Sequence, residues 1–170
     1  MTGNPPPEVW LRGPLPGLDP LLMPAAHALL QAREDILRVA SDADTADLWE
    51  RPGGAAAAGY HLRHLAGSLD RLLTYARGEG LDEAQRQALA HESTPGAPAS
   101  DLVPAACRSI DRALEQLRRT PAETLVEERA VGRARLPATV LGLLFHAAEH
   151  TTRHVGQLIT TLKIVRGVRS

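Results

Sequence analysis

Between residues 62 and 76, leucine and alanine return at the spacing of an α-helix, and this repeat constrains the fold more than any other feature. In "HLRHLAGSLDRLLTYA" the apolar positions are Leu62, Leu65, Leu69, Leu72, Leu73 and Ala76. A strand would alternate every second residue; this stripe follows a period near 3.6. An amphipathic helix of this kind is stable only when its apolar stripe is covered by other elements. The rest of the chain must therefore supply partners.

Three further stretches do so. One begins between Pro20 and Pro24 and runs to about Val39, with Leu22, Leu29, Ile36 and Val39 near helical spacing. A second begins near Asp101, the expected N-cap, places Pro104 in the first turn, and continues through Ile110, Leu114 and Leu117 to about Arg119. A third runs from about Ala138 to Val165, with Val140, Leu144, Ala147, Thr151, Val155, Leu158 and Leu162 on one face and Gly167 at its C-terminal end. A short helix is expected at residues 82–91, and "VEERAVGRARL" has the makings of a small hairpin. The expected fold class is all-α: a four-helix bundle with long inter-helix connections. The links between the first and second long helices, and between the third and fourth, leave room for a topology other than simple up-and-down.

The first twenty residues carry Pro5, Pro6, Pro7, Pro14, Pro16 and Pro20 and cannot form a regular helix. The expected division is an extended Pro-rich arm over 1–19 and a bundle over 20–166. Aromatic residues make up only 3% of the chain, so its core must be built from Leu, Ala, Val and Ile. Trp10 and Trp49 are expected to clamp the arm and the first long loop to the bundle.

A net charge of −1 gives no general attraction to nucleic acid or to an anionic membrane. No signal-peptide pattern opens the sequence, and no apolar run approaches the ~18 residues of a membrane span. The expected location is cytoplasmic. The single cysteine, Cys107, excludes an intrachain disulfide and a thiolate-rich metal site, and reads as a small core residue.

Histidine is the exception to this bland chemistry. "HAAEHTTRHVGQ" places His146, His150 and His154 at four-residue steps, and "GYHLRHLAGS" places His61 and His64 three apart. Residues at i and i+4 lie one helical turn apart, close enough for two imidazoles to converge on one ion. His154 flanks the apolar stripe, His150 lies further round on the same side, and His146 points away. On the other helix His61 is slightly nearer the stripe than His64, and either can face the C-terminal helix. A lone histidine beside an apolar face is ordinarily a hydrogen-bonded rim residue, whereas two clusters on two helices argue for convergence. H-E-x-x-H fails because Thr151 stands where the glutamate belongs. Paired E-x-x-H motifs fail because Glu149 is followed three residues on by Thr152, and Glu79 by Asp82. There is no Gly-rich phosphate loop and no G-x-S-x-G.

"RHLAGSLDRLLTYARGE" together with "EHTTRHVGQL" resembles the DinB/YfiT-like superfamily of four-helix bundles, over about residues 20–165. Its pattern is a histidine followed by Leu-Ala-x-Ser on the second helix, and H-x-x-x-H-x-G-Q on the last. The resemblance implies one divalent metal ion, nickel or zinc, held by His64, His150 and His154; this overrides the slight geometric preference for His61. Gly156 and Gln157 match the tail of the motif, and Gln157 is either helix surface or outer support for a ligand. His61 and His146 are extra to the pattern, as supporting groups or alternative ligands.

Similarity to bundles that use low-molecular-weight thiols implies a metal-dependent thiol S-transferase acting on a small electrophile. The alternatives are a metal-dependent hydrolase and a non-catalytic metal-binding protein of the stress response. A homodimer is expected on the same basis. Arg71 and Arg153 are candidates for binding an anionic substrate and Glu92 and Glu149 for a general base, though such side chains on helices are usually only solvated. Tyr60 and Tyr75 have no assigned role.

Overall fold

The computed structural model describes residues 6–168, and Pro5 of the arm lies outside them. The chain is mostly helical. Its helices are α1 (Met23–Ala40), α2 (Thr45–Trp49), α3 (Ala58–Ala76), α4 (Glu83–Ala90), α5 (Ala99–Arg119) and α6 (Val140–Val168). Strands β1 (Glu128–Val131) and β2 (Leu136–Thr139) form an antiparallel hairpin between α5 and α6, pairing Glu128 with Thr139 and Val131 with Leu136.

The apolar stripes become the core. Leu62, Leu65 and Leu69 on α3, Ile36 on α1, Ile110 on α5 and Leu158 on α6 are fully buried, and Leu29, Leu117 and Leu144 nearly so. Val39 and Leu72 sit at the edge, half-buried. Both α1 and α3 pack against α5 and α6. Contacts along the helices give their directions. The Ser109 hydroxyl donates to the Ala66 carbonyl and the Gln116 amide to the Leu73 carbonyl, so α3 and α5 run parallel. The parallel pair requires the long crossover that carries α4. In contrast, His61 faces His154 and His64 faces His150, so α3 and α6 run antiparallel.

Several local expectations are corrected. Helix α5 starts at Ala99, with Pro98 as its N-cap, because Ala99, Leu102 and Val103 are all drawn into the core. Asp101 is therefore a first-turn acid favoured by the helix dipole rather than the cap, and Pro104 lies inside the helix. Helix α6 starts two residues later than expected because Ala138 and Thr139 belong to β2, and it runs through Gly167 to Val168. Trp10 does not clamp the arm. It is exposed, with its indole N–H donated to Glu8, while Val9 is buried and its backbone N–H donates to Gln31 of α1. Arg12 forks onto Glu34, and His27 contacts the Gly13 carbonyl oxygen, so the segment is tied to α1.

Trp49 does pin its loop. Its indole N–H donates to the Ala97 carbonyl at 2.9 Å, and its ring lies against Gly59, where an added Cβ would come within 2.8 Å. Cys107 is buried, and burial raises its thiol pKa, which suits a packing role.

Candidate metal centre

Four histidines meet where α3 crosses α6. The i, i+3 pair on α3 and the i, i+4 pair on α6 each present two imidazoles along one helix face. The antiparallel packing then sets His64 Nε2 3.0 Å from His150 Nε2, and His61 Nδ1 3.0 Å from His154 Nδ1. Ring centroids of His64 and His154 are 4.4 Å apart, and those of His150 and His154 are 4.5 Å apart. One ring nitrogen from each of His64, His150 and His154 lies within 4.8 Å of the other two, so the three can hold a metal ion.

The donor set fits a cation. Ring nitrogens about 2.0–2.1 Å from one tetrahedral ion would sit roughly 3.3 Å from each other, close to the His64–His150 separation. Burial also favours neutral, ligating imidazoles. The His154 pKa is lowered to about 4, first by burial and then by the neighbouring His64, His150 and His61. His150 is lowered by burial, then by His64, His146 and Arg153, against a small opposing effect of Glu149. His61 is lowered by burial and by His64. In addition, His150 Nδ1 is buried with no hydrogen-bond partner among the described residues.

Of the two α3 histidines, His64 joins the three-nitrogen group, while buried His61 stands behind His154. His146 is half exposed, 3.4 Å from Glu149, and its ring is 5.4 Å from that of His150, so it stands at the margin. Glu149 is taken up by Arg153 one turn on, which holds its carboxyl below the ordinary range. Gln157 makes no hydrogen bond to the cluster. With His61, Arg153 and Thr160 it lines a cavity of about 550 Å³ beside α6, where Gly156 adds no side chain.

Two neighbours of His64 are different from what the sequence suggested. Glu92 accepts from His64 Nδ1 at 2.7 Å through Oε2 and from Arg71 Nη1 at 2.7 Å through Oε1. Burial pushes the Glu92 carboxyl pKa up, but the hydrogen bonds from His64 and Arg71 outweigh it and leave the pKa lowered. Glu92 and Arg71 are thus paired with each other, and Glu92 also with His64, instead of lying solvated on the surface. Tyr60 stacks on His64, with centroids 5.3 Å apart and planes 16° apart. That contact was readable as an i, i+4 pair on one helix; the Glu92 contact, made from a loop, was not.

The chain is a mostly helical protein in which faces of two helices bring together three imidazoles that can hold a metal ion. The DinB superfamily family model matches residues 28–158, a span that includes all three histidines, and the chain belongs to this superfamily. No curated protein matches the chain. Among the described residues no helix is long and apolar enough to cross a membrane.

Proposed function

We propose that this chain is a divalent-metal protein whose four long helices form a bundle over residues 20–166, with 1–19 as an N-terminal arm. His64, His150 and His154 are its ligands, and nickel or zinc is its ion. The observation that carries this reading is the approach of three ring nitrogens, from two helices, to within 4.8 Å of one another.

The reaction best suited to this arrangement is a thiol-dependent S-transfer to a small electrophile. When bound, the ion supplies a Lewis acid that lowers the pKa of a thiol or water at an open coordination position. The thiolate sulfur forms a bond to the electrophilic carbon, and the leaving group departs with its electron pair. His64, His150 and His154, as neutral imidazoles, would leave the charge of a bound divalent ion uncompensated, which would favour an anionic partner. The cavity bordered by His61, Arg153, Gln157 and Thr160 offers polar groups for a cofactor or substrate, and His61, which contacts His154, links it to the cluster. A cytoplasmic location, where such thiols are reduced, and a homodimer complete the proposal.

The second reading is a metal-binding protein without turnover, and the buried His61 beside His154 favours it, since a fourth imidazole is at hand to close the site. The test is consumption of a chromogenic aryl halide by the zinc- or nickel-loaded protein with a low-molecular-weight thiol. Thiol-dependent turnover that disappears on chelation supports the transferase. Stoichiometric metal without turnover across several thiols and electrophile classes favours the binding protein.

A further inference from the structure

Glu92 is the only buried residue between positions 82 and 98, and it is a carboxylate. Taking a charged group out of water is costly unless partners repay it. Its partners are His64 and Arg71, one on each oxygen, and Arg71 is itself buried. Both lie on α3, seven residues apart, so they share one helix face.

Gly67 lies between them on that face. A Cβ at Gly67 would stand 2.7 Å from Glu92 Oε1 and 2.8 Å from Arg71 Nη1, so the ion pair lies directly across the glycine. Glycine inside a helix is destabilising relative to alanine. Here the absent side chain makes room for the pair.

Resting on the ligand assignment above, we propose that Glu92, held by Arg71 across Gly67, is the positioning residue that prepares His64 as a metal ligand. A neutral imidazole has one N–H and one bare nitrogen. By accepting from Nδ1, Glu92 keeps the proton there and leaves Nε2, the nitrogen that faces His150, bare. It also fixes the ring plane and raises the donor strength of Nε2. Among the described residues neither other ligand has a carboxylate hydrogen-bonded behind it: His154 is backed by His61, and His150 Nδ1 has no partner. His64 is therefore the anchoring ligand of the three.

The test uses the full chain and zinc alone. Long-range ¹H–¹⁵N correlation of the metal-free protein at pH 8 should show His64 protonated at Nδ1. Competition with a chromophoric chelator should show zinc affinity reduced about 10–100-fold in Glu92→Gln. Gly67→Ala should also weaken zinc binding although alanine favours the helix, because it displaces the pair while keeping both charges. His150→Ala provides the control and should lose binding altogether. If Glu92→Gln and Gly67→Ala bind zinc within twofold of wild type while His150→Ala does not, the positioning role is wrong and the ligand set stands. If His64 carries its proton on Nε2, the role is equally overturned, even should a Glu92 variant fail to fold. Zinc bound at wild-type affinity by both His64→Ala and His150→Ala would overturn the ligand assignment and the positioning role with it.

Discussion

His64 Nε2 lies 3.0 Å from His150 Nε2, although 86 residues separate them in the chain. The contact exists because α3 and α6 run antiparallel with their leucine stripes turned inward and their histidines along one shared edge. The site therefore depends on core packing as well as on its own polar groups.

That dependence is open to measurement at Leu65, which is fully buried and adjacent to His64. Leu65→Ala should cost about 2–5 kcal/mol of folding stability, read from urea denaturation, because it removes transfer free energy and leaves a cavity. A loss below 1 kcal/mol would show that the α3 stripe is not packed as described.

Loop anchoring is tested at Gly59. Because a Cβ there would meet the Trp49 ring at 2.8 Å, Gly59→Ala should push the indole outward and red-shift its fluorescence. A Trp10→Phe background removes the exposed indole and leaves Trp49 as the reporter. An unchanged emission maximum would place Trp49 elsewhere.

The metal-free protein should lose stability in mildly acidic solution. His154 titrates near 4 in the folded state, and His61 and His150 are also lowered, whereas unfolded histidine titrates near about 6.5. Between these values the unfolded chain binds more protons than the folded one, so stability is fully present above about pH 6.5 and falls as pH drops toward 4. The lowered Glu92 carboxyl adds a loss only below the ordinary glutamate range. Thermal melts of metal-free protein should show a lower Tm at pH 5 than at pH 7.5, and replacing His154 by Gln should reduce that difference. Equal Tm values at the two pH values would contradict the burial of these imidazoles.

How much of this was readable in the chain depends on the range of the interaction. The long helices announced themselves through local periodicity, and every α6 stripe residue from Val140 to Leu162 is buried. The choice between His61 and His64 could not be made from one helix, since both border the stripe; the family motif decided it. Three features escaped because they are set across the fold. Pro98 caps α5 because the core captures Ala99, which no local capping rule weighs. Trp10 stays outside while the smaller Val9 is buried, an inversion of what side-chain size suggests. Glu92 reaches His64 from a turn 28 residues on, and only the glycine between His64 and Arg71 hints at the crossing.

The central claim is that His64, His150 and His154 hold one divalent ion. Elemental analysis of protein purified without an affinity tag, for wild type and for His64→Ala, His150→Ala and His154→Ala, tests it most directly. The account predicts about one nickel or zinc per wild-type chain and close to none in each variant, with helical circular dichroism largely retained. Metal content unchanged in the variants, or no divalent metal retained by the wild-type chain even after incubation with zinc or nickel, would contradict it.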